Sequence, residues 1–101
     1  MLKVNKDGSV EIYQGDAFSL MCSIDFSIED VTKLKMIVVD ENNEKIVEKS
    51  AEKYDENIYF VWGSNDSNLS PNMYTFYIIW EIDEQNRTTM MQNILKVKRS
   101  V

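Results

Sequence analysis

Few side chains in this sequence could do chemistry, and their types narrow the options at once. Histidine is absent and the only cysteine is Cys22. Without an imidazole, the commonest general base and the Ser-His-Asp arrangement are both missing. The chain has no glycine-rich phosphate loop, no Gly-x-Ser-x-Gly elbow and no cysteine pair at zinc spacing. Neighbouring carboxylates do occur, at Glu29/Asp30 and Asp83/Glu84, and a glycosidase would use such a pair. With 17 acidic residues in the chain, adjacent pairs arise by chance, and neither pair lies in an expected cleft. The loop Ser64-Asn65-Asp66-Ser67-Asn68 offers oxygen ligands without the spacing of a calcium loop, so it reads as a solvated turn. Asn65, Asn68 and Asn86 each begin a glycosylation triplet, which carries meaning only in a secreted chain. Cys22 reads as a small buried hydrophobe. The expectation is a protein that is not an enzyme, with no catalytic residue, no metal site and no cofactor.

Charge and composition limit the partners. The net charge is −6, and an acidic chain repels the phosphate backbone whose neutralisation dominates nucleic-acid affinity. The one basic cluster, Lys96, Lys98 and Arg99, sits on a terminal strand with Lys96 and Lys98 on one face and Arg99 on the other, as solubilising residues do. No nucleic-acid partner is expected. No segment approaches the roughly 20 apolar residues needed to span a bilayer, so no membrane partner is expected either. Residues 1–6 contain no apolar run resembling a secretion signal. A lone cysteine cannot form an internal disulfide, which fits a reducing compartment. The 101 residues suit one domain, 1–101, with one core.

The elements that must position any site are short strands. Phe18, Leu20, Cys22 and Ile24 alternate with Ser19, Met21, Ser23 and Asp25, which is the period of a half-buried strand. Residues 26–32 read as a loop. Leu34, Met36 and Val38 alternate with Lys35, Ile37 and Val39 over a strand from Lys33 to Asp40, which turns at Glu41-Asn42-Asn43-Glu44 into a short return through Ile46 and Val47. Residues 48–57 are polar, and a brief helix there competes with a loop. Ile58, Phe60 and Trp62 alternate with Tyr59 and Val61. A long strand from Tyr74 and a last one from Thr88 to Arg99 are joined by Glu84-Gln85-Asn86-Arg87. Strands at such spacing, with no amphipathic helix of ordinary length, predict an all-β, immunoglobulin-like antiparallel β-sandwich of seven to eight strands.

Leu69-Ser70-Pro71-Asn72-Met73-Tyr74 delivers a tyrosine into the strand Thr75-Phe76-Tyr77-Ile78-Ile79-Trp80. A tight turn followed by such a tyrosine is the pattern of a tyrosine corner, here Leu69, Asn72 and Tyr74, in which the hydroxyl bonds back to the turn. Antibody-type domains pin their sheets with a disulfide beside a tryptophan. Cys22 stands at the second-strand position, but Phe76 follows Tyr74 by two residues and Met36 lies fourteen past Cys22. An apolar Cys22–Met36–Phe76 cluster takes the place of that pin. The expected core comprises Phe18, Leu20, Cys22, Met36, Phe60, Trp62, Phe76, Ile78 and Trp80.

The run Ile12-Tyr13-Gln14-Gly15-Asp16-Ala17-Phe18, the Val38-Val39-Asp40…Asn43 hairpin, Leu69–Phe76 and a closing Ile94-Leu95-Lys96-Val97 span nearly the whole chain. In these features it resembles the small Ig-like domains of tail and baseplate proteins from phages and prophages of Gram-positive bacteria, similar to the N-terminal domain of upper baseplate proteins. Asn72 stands where that family usually has glycine. The resemblance implies a virion assembly protein, present in the bacterial host cytoplasm during assembly and then in the virion.

With Tyr74 turned inward, Thr75, Tyr77 and Ile79 face outward, and the neighbouring strands add Ile37, Val39, Met90 and Ile94. The six apolar members, Ile37, Val39, Tyr77, Ile79, Met90 and Ile94, form an expected exposed interface on one sheet, where solvent-facing positions are normally polar. The expected function is a structural or interaction module working through this face and sheet edges, with virion subunits or a second copy as partner. A homo-oligomer follows if the patch meets its own copy about a two-fold axis. The alternative is a carbohydrate-binding module that stacks a glycan on exposed aromatics, with Tyr54, Tyr59, Trp62, Tyr77 and Trp80 as candidates, and Tyr59 and Tyr77 as the better surface ones.

Overall fold

The computed structural model describes residues 2–22, 33–55, 57–83 and 86–99. These residues form nine strands: β1 (Lys3–Val4), β2 (Val10–Tyr13), β3 (Phe18–Cys22), β4 (Leu34–Val39), β5 (Lys45–Ser50), β6 (Glu52–Tyr54), β7 (Asn57–Trp62), β8 (Asn72–Asp83) and β9 (Asn86–Lys98). A six-stranded sheet in the order β1-β2-β9-β8-β4-β5 faces a three-stranded sheet in the order β3-β7-β6. The architecture is an all-β sandwich, with nine strands among the described residues where seven to eight were expected. Its pairs are antiparallel except β2 with β9, which run parallel from Val10↔Leu95 to Tyr13↔Lys98. The latter part of the alternating strand expected to run to Asp25, and the loop over 26–32, lie outside the described residues.

The core forms where period-two alternation points two sheets at each other. Val10 and Ile12 of β2, Leu20 of β3, Leu34, Met36 and Val38 of β4, Ile58, Phe60 and Trp62 of β7, and Tyr74, Phe76 and Ile78 of β8 are buried there together with Leu95 and Val97 of β9. Phe18, Cys22, Leu69 and Trp80 pack against this cluster from partly buried positions. Phe18 stacks on Trp62 with ring centroids 5.2 Å apart. Cys22, Met36 and Phe76 belong to the same cluster, and burial raises the Cys22 thiol above its ordinary pKa, which keeps it protonated.

Three local devices set the connections. Gln14-Gly15-Asp16 carries the chain from the large sheet to the small one, with Gly15 at φ 85° and its N–H donating to Ser67 O at 3.1 Å. Ser67, fully buried, returns a hydroxyl hydrogen bond to Asp16 O. At the corner before β8, the Tyr74 hydroxyl donates to Ser70 O at 2.6 Å, the geometry of a tyrosine corner. Asn72 is the first residue of β8, and among the described residues the non-glycine positions with positive φ are Asn43 (63°) in the β4–β5 turn and Asp55 (47°).

Residues 48–55 differ from the expected helix or loop. They complete β5 and form β6, and buried Ala51 is the point where the chain crosses between sheets, its N–H donating to Leu34 O at 2.9 Å. Both are edge strands, so charged residues such as Glu48, Lys49, Glu52 and Lys53 occupy positions where an interior strand would alternate.

Candidate interaction surface

The middle of the large sheet has an apolar outer face. β4 and β8 pair with Lys35 opposite Ile79, Ile37 opposite Tyr77 and Val39 opposite Thr75. Those six residues point away from the main core, because their neighbours Met36, Val38, Phe76 and Ile78 point into it. Ile37, Val39 and Ile79 form a second hydrophobic cluster with Tyr77 packed against it. This cluster floors an open depression of about 340 Å³ whose remaining lining is Asn43, Lys45, Arg87 and Thr89.

Two β-bulges flank the depression. The β4–β5 register shifts between Val38 and Val39, so Val38 opposes Val47 and Val39 opposes Lys45. The β8–β9 register shifts between Ile78 and Ile79, so Ile78 opposes Met91 and Ile79 opposes Thr89. Each bulge re-aims the side chains beyond it. Lys45 and Thr89 thereby reach the outer rim. Charges then tie the rim across four strands. Lys35 Nζ lies 3.3 Å from Glu81 Oε1 and 3.9 Å from Glu48 Oε1, Lys45 Nζ lies 3.5 Å from Glu48 Oε2, and Arg87 Nε lies 2.8 Å from Glu81 Oε2.

Of the six residues expected to share an exposed patch, the fold brings four together. Ile37, Val39 and Ile79 are not open to solvent, however, with exposures of 9%, 8% and 5%. The aliphatic stems of long charged neighbours cover such positions while their heads stay in water. Met90 is a correction: the bulge leaves it unpaired between Met91 and Thr89, and it packs against the main core. Ile94 lies opposite Thr75, 43% exposed and outside the second cluster. The rim residues Lys45, Arg87 and Thr89 were not foreseen, since their placement depends on bulges that the sequence does not mark. Arg87, expected in the hairpin loop, is the second residue of β9.

The other candidates are occupied in structural roles or lie elsewhere. Asp83 accepts from the Asn86 N–H and side-chain amide, both at 2.9 Å, as a turn residue. Its partner Glu84 and the pair Glu29/Asp30 lie outside the described residues. Asp66 accepts from Gly63 N–H at 2.7 Å and Lys49 Nζ at 3.0 Å, and these contacts hold its carboxyl below its ordinary pKa. Among the described residues no cluster of three or more potential metal ligands forms. Trp62 is in the core and Trp80 packs against it, while Tyr54 and Tyr59 sit together on the small sheet with centroids 5.9 Å apart and rings tilted by 52°.

No family model and no curated protein sequence matches this chain.

Proposed function

We propose that this chain is a non-enzymatic interaction module, a tail or baseplate assembly protein of a phage or prophage, that docks on another virion subunit or on its own copy through the outer face of the large sheet. The observation that carries the docking surface is the second hydrophobic cluster, Ile37, Val39, Ile79 and Tyr77, on the side of the sheet away from the core. A sheet face turned to solvent is ordinarily polar, and an apolar floor rimmed by polar residues suits a protein contact. The tail or baseplate setting is supported by the resemblance in residues 12–18, 38–43, 69–76 and 94–97.

The glycan-binding alternative draws on Tyr54 and Tyr59. Their 52° tilt gives no flat platform for a sugar ring, which favours the protein-docking reading.

The test is solution mass by light scattering over a concentration series, for the natural chain and for Thr89→Arg. Thr89 is exposed and lines the depression, so an arginine there obstructs the floor without entering the core. An Ile79→Asp change would instead bury a carboxylate in the second cluster and report on folding. A dimer or larger species that becomes monomeric in Thr89→Arg, with unchanged melting, is the expected result for self-docking. For a heterologous virion subunit, the expected result is complex formation lost in the same variant. A chain that stays monomeric to about 1 mM, forms no complex with virion subunits and binds oligosaccharide at Tyr54 and Tyr59 overturns the reading.

A further inference from the structure

The small sheet has one edge unlike the other three in the molecule. β3 hydrogen-bonds to β7 on one side and has no strand on the other among the described residues. In immunoglobulin-type sandwiches this sheet holds four strands, with the chain's first strand beside the second. Here β3, β7 and β6 fill three of those places, and β1 pairs with β2 in the large sheet instead, through Lys3↔Glu11 and Val4↔Val10. The remaining edges are blunted by charge: Lys3 on β1, Lys45, Glu48 and Lys49 on β5, and Glu52 and Lys53 on β6. β3 reads Phe18-Ser19-Leu20-Met21-Cys22, with no charge and no proline, and its register with β7 is unbroken from Phe18↔Trp62 to Cys22↔Ile58. Among the described residues, β3 shows none of the usual protections of an edge strand.

Beside this edge lies an apolar groove of about 140 Å³, lined among others by Val4, Val10, Leu20, Met21, Cys22 and Met91. Val4, Met21 and Met91 are 57%, 56% and 37% exposed, high values for such side chains. The groove is where the six-stranded sheet runs on past the three-stranded one, at its β1–β2–β9 end.

We propose that the β3 edge takes up a single extended strand of a partner protein, uncharged over about five residues and apolar at alternate positions, completing the small sheet by strand addition. Main-chain hydrogen bonds to β3 supply the affinity, and the groove receives the alternate side chains. The charge balance selects this occupant. An uncharged edge pairs with an uncharged strand, whereas a second whole copy brings another net charge of −6. Shape selects it too: a second sandwich set edge to edge would drive its own β1–β2 overhang into the same space, and a five-residue edge offers far less than the ~800 Å² per partner of a stable globular interface. This contact adds to the interaction module proposed above a surface on the opposite sheet, and it stands or falls separately from the depression.

The test uses a synthetic eight-residue peptide alternating valine and threonine, titrated into isotope-labelled protein and followed by NMR. The expected result is shift changes centred on Phe18–Cys22, with Val4 and Met91, and new exchange protection at alternate β3 amides. Met21→Lys places a charge on the exposed edge and should weaken binding at least tenfold without changing the melting temperature. A peptide carrying lysine at alternate positions should bind more weakly by a similar factor. Wild-type peptide affinity in Thr89→Arg separates this edge from the outer-face depression. The proposal is overturned if every β3 amide in the free protein exchanges as slowly as those of β8. It is equally overturned if the peptide fails to bind by about 1 mM, if it perturbs β5 or β6 as strongly as β3, or if Met21→Lys binds as the natural chain does.

Discussion

Tyr74 shows how one side chain can fix a connection. Its ring lies in the main core and its hydroxyl reaches back four residues to Ser70 O at 2.6 Å. Burial first, and then the charges of Asp40 and Glu41, push the phenol above its ordinary pKa, so it stays a donor at neutral pH. Tyr74→Phe keeps the ring and removes only the donor. The net worth of one such hydrogen bond is about 0.5–1.5 kcal/mol, and Ser70 O loses its partner in the bargain. For a domain of this size, a change of about 1 kcal/mol lowers the melting temperature by roughly 4–8 °C. Calorimetry on the pair of proteins checks this, and identical melting would mean that water replaces the hydroxyl at no cost. The same scale explains why Cys22 needs no partner cysteine. With Met36 and Phe76 in the same cluster, the space of an inter-sheet bridge is filled by apolar volume.

At the scale of elements, close approach decides more than propensity. Gly8, in the turn between β1 and β2, has φ 90°, and a Cβ there would lie 2.8 Å from Asn93 Nδ2 and 3.1 Å from Met91 Cε. Asn93 is held in place by its hydrogen bond to Asp7 O at 2.8 Å. Gly15 has nearly the same backbone, φ 85°, with nothing within 4 Å of the Cβ position. Gly15→Ala should therefore cost only the left-handed conformation, about 1–3 kcal/mol, and Gly8→Ala measurably more. Urea unfolding of both variants makes the comparison, and equal losses would show that β9 yields to the added methyl group. The strands that alternate cleanly, β3, β4, β7 and β8, were legible in the sequence, because one face of each meets the core. The return strand through Ile46 and Val47 was legible as the start of β5, but the rest of β5 and all of β6 were not: as edges their only buried apolar anchors are Val47 and the neighbouring Ala51, too few to establish a period. The outer-face depression divides in the same way. Parity along β4 and β8 singled out Ile37, Val39, Tyr77 and Ile79. The bulges in β5 and β9 then moved Met90 inward and brought Lys45 and Thr89 to the rim, which no pattern within one strand reveals.

Over the whole molecule, carboxylates join strands that are far apart in sequence, and this makes stability depend on pH. Glu11 of β2 lies 2.8 Å from Lys98 Nζ of β9, 3.0 Å from Asn5 Nδ2 and 3.9 Å from Lys3 Nζ of β1, clasping the parallel pair that closes the large sheet. Hydrogen bonds from Lys98 and then Asn5 hold its carboxyl down to about 2, against an ordinary 4.5. Asp66 and Asp7 are lowered as well, Asp66 by the Gly63 N–H and Lys49, and Asp7 by the hydroxyl and N–H of Ser9. In the unfolded chain all three revert toward ordinary values, so below about pH 4.5 that chain binds more protons than the folded one. Stability from these groups is complete above the unfolded values and drains away as pH falls through the folded ones. The melting temperature should thus hold between pH 7 and 5 and fall steeply from about pH 4.5 to pH 2. Glu11→Gln removes the most strongly shifted of the three groups: it should melt lower than the natural chain at pH 7 and show a shallower decline, the two curves converging near pH 2. Parallel curves for the two proteins across that window would mean that the Glu11 clasp does not couple protonation to folding, leaving general charge repulsion to drive acid unfolding.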